Sequence, residues 1–221
     1  MMRFRALATD FDGTIAQHGL VPSPTLEAMR RLADSGYKLL LVTGREKEQL
    51  YEIFPHVRLF DYMVLENGAL LHHPHTDETT LLAEAAPPAL LQALQQRRIP
   101  FSAGRSIVAT VEPHGATMKT LIQELRLNWH VIMNKHDVMA LPASINKAAG
   151  LKVALERLGL RSEEVVGVGD AENDLDFLRL CGLSVAVANA LPVVKQTAHW
   201  TMQTECGEGV RELIDRLLRG S

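Results

Sequence analysis

The sequence predicts an α/β fold in which a doubly wound parallel sheet forms the core and a smaller α/β module is inserted into it. Three observations support this prediction. Apolar strand-like segments alternate with helical ones over residues 1–70, the alternation is interrupted over residues 71–145, and it resumes from residue 146. Strands that alternate with helices are typical of right-handed βαβ units and therefore of a parallel sheet.

The first 70 residues contain three predicted strands and two predicted helices. The strands are FRALATD, YKLLLVTG and YMVLENG, and the helices are SPTLEAMRRLADSG and REKEQLYEIF. In the first helix Ser23 is the expected N-cap, Pro24 lies in the first turn and Gly36 stops the helix. YKLLLVTG is almost continuously apolar, as expected for a strand that is covered on both faces.

The inserted module is predicted over residues 71–145. LLHHPHTDETTLL indicates a hairpin or loop, and its HHPH segment, residues 72–75, is expected to be a solvated tip because a proline interrupts the possible metal ligands. The following segments are predicted as a helix (PALLQALQQRR), a strand (SIVATVE), a helix (HGATMKTLIQELR) and two strands (HVIMN and DVMAL). These elements predict a separate small sheet.

The core alternation returns after the inserted module. NKAAGLKVALERLG is a predicted helix, EVVGVGD a strand, DLDFLRLCG a helix, SVAVAN a strand and GEGVRELIDRLLRG a last helix. The sequence therefore predicts a core built from residues 1–70 and 146–221.

The composition is that of an ordinary globular protein. Hydrophobic residues make up 47% of the chain, and the formal net charge is −3. This charge favours neither nucleic acid nor anionic lipid as a partner. No segment approaches the ~20 apolar residues that cross a membrane. Cys181 and Cys206 match no metal-binding or redox spacing, so we expect two reduced thiols in a soluble cytoplasmic protein.

Acidic clusters follow two of the predicted core strands. Asp10 and Asp12 end the first strand, and in extended backbone their side chains are expected to project together. Asp170 and Asp174 follow a late strand. Ligands of open parallel sheets bind beyond the carboxyl ends of the strands. These four carboxylates offer hard oxygen ligands, which suit Mg²⁺ better than zinc.

Phosphate-binding groups are predicted beside these carboxylates. Hydroxyls and backbone N–H groups suited to phosphate oxygens come from Gly13, Thr14, Thr43 and Gly44. Lys147 adds a positive charge, and Arg45 is a second candidate for an anionic contact. A carboxylate can attack an anionic phosphate only where cations offset the repulsion, so the combination predicts a phosphoryl-transfer site.

The motifs DFDGT, LVTGR, Lys147 and GVGDAENDLDF resemble, in this order, the four motifs of the haloacid dehalogenase superfamily of aspartate-nucleophile phosphohydrolases. The stretch GDAENDLDFLRLCGLSVAVANA, with GEGV near the end, is similar to the branch that includes Cof-type sugar phosphatases, archaeal-type phosphoglycolate phosphatases and sucrose-phosphate phosphatases. The resemblance implies a Rossmann-like core with an α/β cap inserted after the third strand.

The resemblance also implies roles for individual residues. Asp10 would be the nucleophile and a Mg²⁺ ligand, and Asp12 would act as general acid and then base while its carbonyl binds the metal. Asp170 would be a direct metal ligand, and Asp174 would bind the metal directly or through water. The remaining implied contacts, to phosphoryl oxygens or the metal shell, are Thr43, Lys147 and Asn173.

We therefore expect a Mg²⁺-dependent phosphatase that acts on a small phosphate ester, with phosphoglycolate and sugar phosphates as first candidates. A phosphomutase of the same superfamily is the alternative enzyme. A phospho-accepting receiver module is the alternative from a different class, although the inserted residues 71–145 and the late acidic cluster argue against it. The sequence predicts no oligomeric state.

Overall fold

The computed structural model describes residues 4–220 and contains two sheets. The strands of the large sheet are β1 (Ala6–Thr9), β2 (Lys38–Val42), β3 (Tyr62–Leu65), β4 (Leu70–His73), β5 (Glu78–Leu81), β10 (Val165–Gly169), β11 (Leu183–Ala186) and β12 (Trp200–Thr201). Their order is β12-β11-β10-β1-β2-β3-β4-β5, and β4 and β5 are antiparallel to their neighbours while the other pairs are parallel.

The small sheet is antiparallel and lies between β5 and β10 in the chain. Its strands are β6 (Ser102–Ala103), β7 (Val108–Val111), β8 (Trp129–Asn134) and β9 (Asp137–Pro142), in the order β6-β7-β9-β8. The helices are α1 (Ser23–Asp34), α2 (Lys47–Ile53), α3 (Pro88–Gln96), α4 (Gly115–Glu124), α5 (Lys147–Leu158), α6 (Leu175–Leu180), α7 (Pro192–Thr197) and α8 (Cys206–Arg219). The predicted α/β class, with a largely parallel core sheet and an inserted α/β cap, is confirmed.

Each sheet has its own apolar core. The main core fills the large sheet and its helices, with Leu7, Leu39 and Val166 fully buried in it. A second cluster joins α3 and α4 to the small sheet, where Leu90 and Met118 are fully buried. None of the described helices is long and apolar enough to cross a membrane. Both cysteines are free and buried.

The hairpin β4–β5 belongs to the large sheet, which corrects the predicted boundary at residue 71. Leu71 pairs with Val64 of β3, and Thr80 pairs with Leu71 in turn. The hairpin therefore extends the core sheet as an antiparallel edge, and the small sheet begins only at Ser102. A local polar turn predicts the hairpin, but the pairing partner is decided by long-range contacts. Whether the rest of the inserted segment is an independent domain stays a prediction.

Two local predictions were wrong. The N-cap of α1 is Pro22, whose side chain cannot accept a hydrogen bond, and Ser23 is already inside the helix. The HHPH segment is only partly a solvated tip, because His72 lies in β4 and is fully buried. Its Nε2 lies 2.7 Å from the Tyr51 hydroxyl and its Nδ1 lies 2.8 Å from Thr79 Oγ1.

We expect the buried His72 to make the protein less stable in mild acid. Burial, aided by the charge of Lys47, lowers the pKa of His72 below its ordinary value. The unfolded chain therefore binds the proton more readily. The stability that neutral His72 contributes is present above a pH of about 6.5 and is lost as the pH falls through the lower, folded-state pKa.

Urea unfolding at several pH values checks this expectation. His72→Gln should lose less stability than the wild type between neutral pH and pH 5, and His75→Gln, an exposed position in the same hairpin, should follow the wild type. Parallel pH profiles for all three proteins would contradict the assignment.

Candidate active site

The parallel register of β1, β2 and β10 brings three polar loops to one edge of the large sheet. Thr9, the last residue of β1, is paired with Leu41 on one side and with Val168 on the other. The three strands therefore end side by side. Asp10 follows directly and donates its backbone N–H to the Val168 carbonyl, 3.0 Å away. Thr43 and Asp170 begin the neighbouring loops.

Helix α5 carries Lys147 to the same place. Asn146 is the N-cap, and its side chain accepts a hydrogen bond from the Ala149 backbone at 2.9 Å, so the helix begins at Lys147. The first turn packs closely on the link after β3. A Cβ at Gly68 would collide with the Asn146 carbonyl, and one at Gly150 would lie 2.7 Å from Gly68 Cα. Two glycines thus allow the close approach that places Lys147.

Lys147 lies between two carboxylates in the interior. It is 1% exposed, and its ammonium donates to Asp10 Oδ1 at 2.5 Å and to Asp174 Oδ1 at 2.6 Å. Burial opposes its charge, but the two carboxylates outweigh that effect and raise the pKa of Lys147 above its ordinary value. Lys147 is therefore a permanent cation at this site, joining two loops that are far apart in the chain.

Asp10 is a buried carboxylate that lies next to two others. Its pKa lies well above the ordinary value, because burial raises it, and Asp174 and Asp170 add to the shift while Lys147 opposes it. Oxygens of Asp10, Asp170 and Asp174 all lie within 4.8 Å of one another. Among residues 4–220 this is the one such group of acidic, His or Cys side chains that could hold a metal ion.

The two later aspartates of this cluster differ in what their oxygens already bind. Asp174 Oδ2 accepts the backbone N–H groups of Asp170 and Ala171 at 2.8 and 3.0 Å, and its Oδ1 binds Lys147. Asp170 accepts only side-chain donors, Thr14 Oγ1 at 3.1 Å and Lys135 Nζ at 2.7 Å. Asp170 is therefore the better direct metal ligand, and Asp174 chiefly holds the lysine and the loop.

The residues fit a divalent cation of the magnesium type. Three carboxylates form an all-oxygen donor set, which hard cations prefer. The space beside them depends on Gly13, whose φ is +82° and whose Cβ, if present, would lie 2.5 Å from Asp170 Oδ2. Any larger residue here would fill the space next to the carboxylates.

Asp12 lies outside this cluster of three, although its side chain and that of Asp10 line the same cavity, as expected. Strand β1 ends at Thr9, and the chain turns immediately afterwards. The Asp12 carboxylate instead accepts two hydrogen bonds from Arg45, from Nε at 2.6 Å and from Nη2 at 2.7 Å. Asp12 and Arg45 are both partly exposed and both line the cavity described below.

The other predicted phosphate contacts divide into two groups. Gly13, Thr43, Gly44 and Arg45 line the cavity, whereas Thr14, Lys147 and Asn173 lie outside its lining. Asn173 Nδ2 donates to Asn67 Oδ1 at 3.0 Å, while the buried Asn173 Oδ1 has no hydrogen-bond partner within residues 4–220. A carbonyl oxygen accepts hydrogen bonds, so this atom suits a water beside a metal ion rather than a phosphate oxygen.

A cavity of about 740 Å³ separates these core loops from the small sheet. The cap supplies Ser102, Ile107, Met139 and the β8–β9 turn to its lining. The sequence analysis missed the turn residue Lys135, whose ammonium reaches Asp170. A signal existed, because the segment NKHD lies between two predicted strands, where a hairpin tip projects.

Two further residues hold the loops of the site together. Asn189 donates to the Gly13 carbonyl at 2.7 Å and accepts from the Cys206 backbone at 2.8 Å, which ties the Asp10 loop to the start of α8. The buried Glu66 accepts three backbone N–H groups of residues 105–107 at 2.8 to 3.0 Å. The Glu66 carboxylate thereby fastens the cap loop to the end of β3.

The family model of haloacid dehalogenase-like hydrolases matches this chain over residues 7–114 and 107–214, which include every loop of the site. The chain belongs to the haloacid dehalogenase-like hydrolases. A phosphoglycolate phosphatase of Methanothermobacter thermautotrophicus is 30% identical over 222 residues, covering 97% of this chain and 99% of that protein. Phosphoglycolate phosphatase 2 of Saccharolobus solfataricus is 28% identical, with coverage of 97% and 93%.

The fold is shared with solved structures of the same family. A haloacid dehalogenase-like hydrolase from Bacteroides thetaiotaomicron superposes with a TM-score of 0.82 at 21% identity, covering 97% of this chain and 99% of that one. The family and the relatives identify the chain as a phosphatase of the haloacid dehalogenase type, as the motifs predicted. Phosphatases of this family generally use a divalent metal, and the buried aspartate cluster agrees with that. The receiver alternative is thereby excluded.

Proposed function

We propose that this protein is a Mg²⁺-dependent phosphomonoesterase that hydrolyses a small phosphorylated metabolite through an aspartyl-phosphate on Asp10. The observation that supports this most strongly is the position of Asp10. It lines the floor of the cavity, it is next to the permanent cation Lys147, and it shares the only described acidic cluster that could hold a metal. A free carboxylate oxygen beside two cations is the arrangement that lets an anion attack a phosphate ester.

In the first step an Asp10 oxygen bonds to phosphorus and the ester P–O bond breaks. The leaving alkoxide takes a proton from Asp12, which therefore enters this step protonated and released from at least one of its two hydrogen bonds with Arg45. In the second step water attacks the phosphorus of the aspartyl-phosphate, Asp12 takes the proton from that water, and inorganic phosphate leaves with Asp10 regenerated.

Arg45 positions Asp12 for these proton transfers. The two hydrogen bonds from one guanidinium hold the carboxylate in the cavity wall and away from the buried cluster. A side chain that serves first as acid and then as base has to reach both the leaving group and the water, and Asp12 is partly exposed to the cavity. Thr43, also in the wall, is the proposed hydroxyl donor to the phosphoryl oxygens.

Asp10, Asp170 and Asp174 would hold the metal, and a bound Mg²⁺ would supply positive charge to the phosphoryl oxygens and orient the ester. The Asn173 carbonyl would accept a hydrogen bond from water around it.

Phosphoglycolate is the leading substrate candidate and a sugar phosphate the second. Two relatives that cover nearly the whole chain are phosphoglycolate phosphatases. The cavity is closed on one side by cap residues, and its lining includes two cations, Arg45 and Lys135, beside several carboxylates. The two cations offer positions for the anionic groups of a small ester.

Release of inorganic phosphate across a panel of esters tests the proposal. We expect release from phosphoglycolate with Mg²⁺ and none with a chelator. Phosphate release from no ester, or isomerisation of a sugar phosphate without release, would contradict it, and the second result would favour a phosphomutase.

Asp170→Asn should raise the Mg²⁺ requirement more than it lowers turnover at saturating metal. Asparagine keeps the shape and the bond from Thr14 but removes one anionic metal ligand, so half-maximal activity should need at least about tenfold more Mg²⁺. A magnesium titration measures this. Asp34→Asn, an exposed carboxylate at the end of α1, is the control. Coincident titrations for wild type and Asp170→Asn would exclude Asp170 as a ligand.

A further inference from the structure

We propose that Lys135 of the cap determines specificity by binding a carboxylate on the substrate, and that the divalent cation frees it to do so by replacing it at Asp170. This inference rests on the proposed function, since it assumes a phosphate ester in the cavity. It assigns the substrate class as phosphorylated carboxylic acids.

The first argument is the backbone at the β8–β9 turn. Asn134 and Asp137 are paired, so Lys135 and His136 form a two-residue hairpin tip. Lys135 has φ +55°, a region that costs a non-glycine residue about 1 kcal/mol and that asparagine or glycine would usually occupy. A lysine in this unfavourable backbone conformation suggests that its side chain has a functional role.

The second argument is where the side chain ends. Its Nζ lies 2.7 Å from Asp170 Oδ2 and 3.1 Å from the point that a Cβ on Gly13 would occupy. Its backbone N–H also faces Glu172 Oε2 at 3.4 Å. Asp170 is fully buried, whereas the Lys135 side chain is 44% exposed and lines the cavity. The ammonium therefore lies between the buried carboxylate and the cavity.

The third argument is the balance of charge. With the carboxylates ionised, Asp10, Asp170 and Asp174 carry three negative charges, which Lys147 and Lys135 offset in part. A divalent cation held by the three aspartates would, together with Lys147, neutralise them without Lys135. The Lys135 ammonium would then have given up its ion pair with Asp170, and it would remain at the cavity on a flexible stem.

The other two cations near the site already form ion pairs with carboxylates that line or lie beside the cavity. Arg45 is held by both oxygens of Asp12, and Lys147 is buried between two carboxylates. Lys135 is therefore the lysine or arginine of the described cavity lining that metal binding would release. A compact ammonium with three N–H donors suits a carboxylate near the phosphoryl group. The lysine is already protonated, so binding the carboxylate requires no proton transfer.

Two esters and two variants test the inference. Phosphoglycolate and 2-hydroxyethyl phosphate share the phosphate and carbon skeleton and differ in the carboxylate. Lys135→Met keeps the length and the backbone conformation but removes the charge. We expect kcat/KM to fall about 10- to 100-fold for phosphoglycolate and less than threefold for 2-hydroxyethyl phosphate. Lys119→Met, exposed on α4, should match the wild type.

Calorimetric titration of Mg²⁺ without substrate is the second readout. Lys135→Met should bind Mg²⁺ at least about threefold more tightly than the wild type, because no ammonium competes for Asp170. Equal loss of kcat/KM on both esters would show that Lys135 contacts the phosphoryl group. No loss on either ester would show that Lys135 forms only its ion pair with Asp170 and does not contact the substrate. Either result, or unchanged Mg²⁺ affinity, overturns the inference.

A binding measurement distinguishes failure of the inference about Lys135 from failure of the proposed function. Asp10→Asn protein, with and without Lys135→Met, can be titrated with each ester by calorimetry, and no turnover is required. If the wild type released no phosphate, the proposed function would fail, while weaker phosphoglycolate binding on loss of Lys135 would still support the inference. Equal binding with and without Lys135 would overturn it.

Discussion

Asp10→Asn is expected to lower phosphate release by at least about 10³-fold and to leave the fold intact. The amide keeps the shape of the carboxylate but is not a nucleophile toward phosphorus. It also removes one of three clustered negative charges, so the metal-free variant should unfold at the same temperature as the wild type or higher. Steady-state phosphate release and thermal unfolding measure the two effects.

Thermal unfolding with added Mg²⁺ tests whether Asp10 also contributes to metal binding. The wild type should gain stability from the metal, and Asp10→Asn should gain less, since one ligand has lost its charge. Asp34→Asn, at the exposed end of α1, should behave as the wild type in both assays. Wild-type turnover in Asp10→Asn would refute the nucleophile assignment, and a large loss of stability would show that the amide disturbs the fold.

Lys147→Met is expected to destabilise the protein by about 3 kcal/mol and to lower turnover at least about 100-fold. Methionine fills most of the lysine volume, so the change isolates the charge. Asp10 and Asp174 would lose the cation between them, and both are almost fully buried, so water cannot replace it. Urea unfolding gives the stability and phosphate release gives the turnover.

Lys152→Met is the matched control, because Lys152 lies on the same helix and is exposed. It should change neither stability nor turnover measurably. Equal unfolding midpoints for Lys147→Met and Lys152→Met would mean that the buried ion pairs contribute nothing to the fold. Normal turnover in Lys147→Met would mean that the lysine does not act on the phosphoryl group.

The core and the meeting of the site loops at one edge of the sheet could be predicted from local patterns. The apolar segments ending in DFDGT and GVGD define β1 and β10, and neighbouring parallel strands have only one edge at which such loops can meet. The Asn146 cap likewise places Lys147 at a helix start. These features depend on the residues of one segment and on general rules for parallel sheets, so local patterns are enough to predict them.

The errors arose where the partner is distant in the chain. Local patterns did not predict that Arg45, 33 residues away, binds the Asp12 carboxylate, which lies outside the cluster around Asp10. The hairpin β4–β5 was assigned to the cap because its sequence does not show that β3 is its partner. The burial of His72 follows from the same pairing.

Local sequence patterns predict the groups that gather at the site: clustered carboxylates, a lysine at a helix start and hydroxyl-bearing loops at strand ends. The tertiary contacts add what these patterns do not predict: which three carboxylates have oxygens within 4.8 Å of one another, that Glu66 fastens the cap loop, and that Lys135 reaches Asp170. The reason is physical. Strand and helix patterns are encoded over a few residues, whereas contacts between the cap and the core depend on how two separately packed sheets meet.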